Sequence, residues 1–161
     1  MPPTNPTEWT IMLPKTSGTG CTGPSHMFVP GGFGWLTTTG GNTCKATSRV
    51  GGWFGSETGN NPSSGCTPSD LDRLLGKTVL LPIFDEATGT GSGAEYHVYA
   101  YAAFTLTDYY FAGQYKGEHK PCSGNDRCVR GSFTRLVQPD DAFFYDSTAP
   151  NLGAWVLRLI R

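Results

Sequence analysis

Gly89, Gly91 and Ala94, within ATGTGSGA, stand at the G-x-G-x-x-A spacing of a dinucleotide-binding loop and come after an apolar run. Such a loop cradles a pyrophosphate only where a helix begins, so that backbone N–H groups and the helix N-terminus meet the phosphates. The residues next in the chain, AEYHVYAYAAFTLTDYYF, alternate with a period of two, and no Walker lysine is present. The glycines therefore read as a hairpin loop, and no cofactor is expected.

Carboxylates are the next candidates. Asp85 with Glu86, Glu95, and Asp140 with Asp141 could supply the acid and base of glycoside hydrolysis. All fall at expected strand ends or in polar loops, where acidic side chains are usually solvated. Asp85 with Asp108, or Asp140 with Asp141, could hold Ca²⁺ weakly, but no EF-hand spacing is present. Cys21 and His26 lie five residues apart in a Gly/Pro loop, without the positioned imidazole that a thiolate mechanism needs. His97 falls among tyrosines on a strand face, where a hydrogen-bonded structural role outweighs that of a general base. We assign no catalytic residue and no metal ligand.

Aromatic surface is the remaining source of function. Trp9, Trp35, Trp53, Tyr99, Tyr101, Tyr109, Tyr110 and Tyr145 could stack on sugars or anchor a protein partner. Most aromatics in a domain of this size belong to its core. Tyr99 and Tyr101, opposite the more apolar face of their strand, are the first binding candidates, with Trp53 and Tyr145.

These residues need a scaffold, and composition describes it. The chain has 161 residues, 22 Gly, 12 Pro and only 16% charged side chains, which suits a single turn-rich β domain and not a helical bundle. A net charge of −1 gives no reason to expect nucleic acid as a partner. No apolar run approaches the ~20 residues of a membrane helix. The opening MPPTNPTEWT is polar and proline-rich, unlike a signal peptide.

Residues 1–32 read as irregular apart from a strand over Glu8–Leu13 that Pro14 ends. A second strand is expected at Phe33–Thr38, and Gly40 to Gly65 is dominated by turn-forming residues. A short helix is expected over 67–75. Thr67 is its N-cap, Pro68 its first residue and Asp70 an acid in its first turn; Leu71, Leu74 and Leu75 form an apolar stripe, and Gly76 ends it. The main sheet occupies 76–161. Val79–Phe84 is apolar on both faces, while Pro82 assigns it to an edge or a bulge. Tyr96–Thr107 is long enough to require a bend or bulge. Val129–Val137 and Ala154–Ile160 complete the strands, with a loop from Pro139 to Asn151 carrying Phe143, Phe144 and Tyr145. The expected class is mainly β: an antiparallel sandwich-like or curled sheet with one short helix and long Gly-rich loops.

Five cysteines need an account. There is no C-x2-C pair for zinc. Cys122 and Cys128 flank a turn-forming SGND, and Cys44 and Cys66 bracket the Gly/Asn/Ser-rich excursion. Disulfides suit both, with the connectivity left open, and place the domain outside a reducing cytosol. Cys21 is the odd one, either free or paired with sequence upstream of Met1.

The segment GKTVLLPIFDEATGTGSGAEYHVYAYAAFTLTDYYF, together with the later CSGNDRCVRGSFTRLV, resembles the C-terminal region of TadG-like (TadE/TadG-type) proteins of Flp, or tight adherence, pilus assembly. Phe33-Gly-Trp35-Leu36 resembles an FGWL element of that family, and Asn151 to Ile160 its closing strand. The resemblance implies a non-enzymatic extracytoplasmic domain, tethered in the full protein by an upstream membrane helix and working through contacts with pilins or Tad-machinery components. It carries over no catalytic residue. A carbohydrate-binding, adhesin-like β domain that holds glycans on its aromatics is the alternative, and a secreted glycoside hydrolase comes third.

Overall fold

The computed structural model of the chain describes residues 7–13, 34–40, 43–57, 61–89, 93–137, 150 and 155–156. Within them lie β1 (Trp9–Met12), β2 (Trp35–Leu36), β3 (Trp53–Glu57), α1 (Pro68–Asp72), β4 (Thr78–Thr88), β5 (Glu95–Tyr110), β6 (Cys128–Thr134), β7 (Leu136–Val137) and β8 (Trp155–Val156). Six strands form one open antiparallel sheet in the order β1-β6-β5-β3-β2, with β4 on the other side of β5. β7 and β8 make a separate parallel pair. The expected mainly-β class with one short helix is what the chain adopts. No helix among the described residues is long and apolar enough to cross a membrane.

β5 is the axis of the sheet, and its 16 residues explain why. Aromatic and β-branched residues favour an extended backbone, and alternation gives each face its own set. β4 runs along one edge of β5, pairing Thr78 to Thr88 with Thr105 to Glu95. The opposite edge is shared end to end: β3 takes Glu95–His97 and β6 takes Ala103–Tyr110. β4 pairs with no other described strand, so Pro82 sits on an edge as its missing N–H requires.

The bend expected in β5 takes the form of bulges. Register shifts occur at Tyr99 and Asp85 in the β4–β5 pairing, and at Thr107 in the β5–β6 pairing. The shift at Thr107 changes the parity of the strand. Phe104 and Leu106 precede it and Tyr109 and Phe111 come after it, yet all four belong to one buried cluster with Leu13, Leu71 and Val129. Without the extra residue, Tyr109 would turn away from that core.

α1 covers this face. Thr67 and Asp70 form a capping box, in which the Thr67 N–H donates to Asp70 Oδ2 at 2.9 Å and the Asp70 N–H to Thr67 Oγ1 at 3.3 Å. The helix proper is shorter than expected, and turns over 73–76 continue it to Gly76, whose φ of 74° reverses the chain. Leu71 is buried in the cluster and Leu74 and Leu75 pack against it. Cys44–Cys66 and Cys122–Cys128 are both disulfides, with Cα–Cα distances of 4.3 and 6.3 Å. The first anchors the loop before α1, and the second closes the turn entering β6. Two such bonds are consistent with an oxidising environment.

Several expectations need correction. The turn-rich stretch 40–65 contains a strand, β3, built on Trp53, Phe54 and Ser56. The single strand expected over Val129–Val137 divides into β6 and β7. Cys21, His26, Asp140, Asp141, Phe143, Phe144 and Tyr145 lie outside the described residues.

Candidate functional site

The bulge at Asp85 creates the most unusual side-chain arrangement on the sheet. Glu86 of β4 and Trp53 of β3 both pair with His97 of β5, from opposite sides. Asp85 is the extra residue between Phe84 and Glu86, and the irregularity brings its carboxylate to the neighbouring His97. Asp85 Oδ1 lies 2.7 Å from His97 Nδ1, with the Asp85 residue only 7% exposed. A carboxylate accepts and cannot donate, so Nδ1 of His97 carries the hydrogen and Nε2 faces the other way. The sequence predicts a solvated strand-end acid at Asp85. Instead the residue lies within β4 and fixes a histidine.

Trp53 stands beside this pair. Its ring centroid is 5.3 Å from that of His97 at a tilt of 47°, and the residue is 43% exposed. Next to it, Thr47, Ser48, Arg49, Gly52, Trp53 and Phe54 line a shallow open hollow of about 310 Å³. Backbone hydrogen bonds hold its rim to β5: Gly51 N–H donates to Val98 O at 2.8 Å and Val98 N–H to Gly52 O at 2.9 Å.

The other aromatic candidates divide. Tyr101 is half-buried and its hydroxyl shares a 2.5 Å hydrogen bond with Ser48 Oγ, so it supports the hollow from below. Burial pushes the Tyr101 phenol pKa up, partly offset by the Ser48 hydrogen bond. Tyr99 is the bulged residue of β5, partly exposed and displaced from the regular ladder. The structure thus brings Tyr101 to the hollow through Ser48, whereas the Trp53 side chain packs with His97, on the strand face opposite that of Phe54. Sequence reasoning missed Arg49, Ser48 and the Asp85–His97 bond.

A second exposed feature lies at the other end of the sheet. Trp9 pairs with Gly131, and Phe133 lies two residues further along β6. They are 57% and 51% exposed, and the Phe133 ring lies 5.1 Å from the buried Phe104. The apolar face of the sheet therefore runs past its core cluster to an uncovered margin. Glu8 and Arg130 form an ion pair at 3.0 Å beside it.

Asp108, the other carboxylate considered for Ca²⁺, is occupied by the protein itself. It accepts from the backbone N–H of Tyr109 at 2.8 Å and of His119 at 2.9 Å. Among the described residues no group of three or more His, Cys, Asp or Glu side chains could hold a metal ion.

No family model matches the chain, and neither does any curated protein or solved structure.

Proposed function

We propose that this chain is a non-enzymatic extracytoplasmic domain of a TadG-like Flp pilus-assembly protein, acting through protein–protein contacts with pilins or Tad-machinery components. The observation that carries the contact role is the uncovered margin formed by Trp9 and Phe133. Large apolar side chains exposed side by side on a sheet face favour a protein partner, because covering them removes apolar area from water. The segment on which the family resemblance rests coincides with β4, β5, the Cys122–Cys128 loop and β6, the strand that bears Phe133. The two disulfides suit an envelope location.

The test is site-specific photo-crosslinking from positions 9 and 133 in cells assembling Flp pili. Capture of pilins or Tad components, lost in Trp9→Asp and Phe133→Asp variants, is the expected result. Capture of only unrelated proteins counts against the assignment.

A further inference from the structure

We propose that the chain forms a weak symmetric dimer by pairing the open edge of β1 with β1 of a second copy, so that the sheet continues from one molecule into the next. Among the described residues β1, β2 and β4 end the sheet, and two of these edges are poor templates. β2 is only two residues long. β4 is longer, but Pro82 withholds a donor and the irregularity around Asp85 breaks its ladder. β1 carries neither device. Trp9, Thr10, Ile11 and Met12 include no proline and no charge, and they pair with β6 in unbroken register. The outer side of β1 is open, with Trp9 57% and Met12 41% exposed and Thr10 exposed as well.

The backbone of this edge is its own complement. The Leu13 N–H donates to Arg127 O at 2.8 Å, and the register pairs Ile11 with Val129 and Trp9 with Gly131. Bonded and non-bonded pairs alternate along an antiparallel ladder, so Trp9, Ile11 and Leu13 bond to β6. Thr10 and Met12 therefore direct their N–H and C=O groups away from it. A two-fold axis at Ile11 sets Thr10 of one copy opposite Met12 of the other, and the hydrogen bonds they exchange satisfy every outward group of both residues. On the core face the same axis places Ile11 opposite Ile11 and Trp9 opposite Leu13, all apolar pairs. Both copies present that face to the same side. The Trp9–Phe133 margin thus stays on the surface, and self-pairing goes beyond its contact role without depending on it. So short a ladder binds weakly, with a Kd on the order of 0.1 mM.

The test is sedimentation-velocity ultracentrifugation of the oxidised full chain from about 10 μM to about 1 mM. A Cys21→Ser background excludes a covalent dimer through the fifth cysteine. The mass should rise toward that of a dimer, and exchange of the Thr10 and Met12 amides should slow with it. Thr10→Pro and Met12→Pro remove outward donors only, and each should weaken association by about tenfold or more. Charge variants keep the test open if a proline unfolds the strand. Thr10→Lys with Met12→Lys, and Thr10→Glu with Met12→Glu, set like charges face to face, and each double variant should be monomeric. Mixed together, the two should form a heterodimer. Phe133→Asp, which tests the contact surface, should leave self-association unchanged.

A chain that is monomeric at about 1 mM overturns the proposal. So does a dimer that folded proline variants fail to weaken, or a Lys and Glu mixture that does not associate. Dissociation by Phe133→Asp would move the interface from the edge to the sheet face. Protection of the Thr10 and Met12 amides only when a pilin is added would replace self-pairing with a partner's strand.

Discussion

The hydroxyl of Tyr109 donates a 2.6 Å hydrogen bond to Asp72 Oδ1, tying the last residue of α1 to the C-terminal end of the core strand. Tyr109 is 1% exposed and stacks on Phe111 at 5.7 Å, so one side chain joins helix, strand and core. Burial, and then the Asp72 carboxylate, push its phenol pKa well above the ordinary tyrosine range. A folded-state pKa above the unfolded one gives stability that is complete below the unfolded value, about 10, and is lost as pH rises from there toward the folded value. Denaturant midpoints should accordingly fall above about pH 10. Tyr109→Phe, which lacks the ionisable group, should flatten that alkaline loss while lowering stability near neutrality by about 1–2 kcal/mol. An alkaline limb unchanged by the substitution would show that another group controls it.

The Cys44–Cys66 disulfide spans a sequence separation of 22 residues, and it fixes the segment that leads into α1. Tyr115 reinforces the junction by donating its hydroxyl to Cys66 O at 2.9 Å. On loop-closure reasoning, replacing both cysteines by serine should cost about 3 kcal/mol. The separation of only six residues between Cys122 and Cys128 implies a smaller loss, about 2 kcal/mol. Chemical denaturation of the two double variants should rank them in that order.

Gly131 is a position where any side chain collides with the core. A Cβ there would meet the Thr105 carbonyl oxygen and lie 2.7 Å from the Phe104 ring, which is fully buried. Gly131→Ala should therefore destabilise the fold by about 2–3 kcal/mol, by forcing β5 and β6 apart. A variant as stable as the parent would mean that both the Thr105 carbonyl and the Phe104 ring can give way.

Much of this scaffold was legible because its signals are local. Thr67, Pro68 and Asp70 announce a helix start, and the capping box forms as those residue types dictate. Pro82 excludes a central position, and among the described strands β4 is an edge. The length of the β5 alternation demanded a bulge, although nothing in the residues says that it falls at Tyr99 and Thr107. β3 was hidden because Trp53 to Glu57 is short and set among turn-forming residues. Its extended form depends on pairing with the remote Glu95, Tyr96 and His97. The Asp85–His97 bond was hidden for a related reason. Counting back from the hairpin places His97 opposite Glu86, and only the bulge turns the preceding carboxylate onto the ring.

Asp108 holds a loop that the sequence shows only as a run of polar residues. Its carboxylate collects the N–H groups of Tyr109 and His119, and Gly117 packs so closely that a Cβ there would meet Asp108 Oδ1. The residue is 4% exposed, so its removal strands the buried Tyr109 donor and releases that of His119. Asp108→Ala should cost about 2–4 kcal/mol and speed amide exchange across 112–120 more than in β4. Uniform acceleration across the sheet would instead indicate a global effect.

Asp85 offers a sharper test, because its effect can be read on a second residue. With the carboxylate 2.7 Å from Nδ1, His97 must keep its hydrogen on that nitrogen whenever the ring is neutral. Two-bond 1H–15N spectra of the native protein should show the Nδ1–H tautomer, the less common form in free histidine. Asp85→Ala takes away the acceptor, and the ring should shift toward the Nε2–H form with a stability loss of about 1–3 kcal/mol. Trp53 rests against the same ring at 5.3 Å, so its indole resonance should move as well. Asp85→Asn keeps an acceptor oxygen of similar shape and should preserve the tautomer. If the native ring already shows Nε2–H, the Asp85–His97 hydrogen bond does not govern the site.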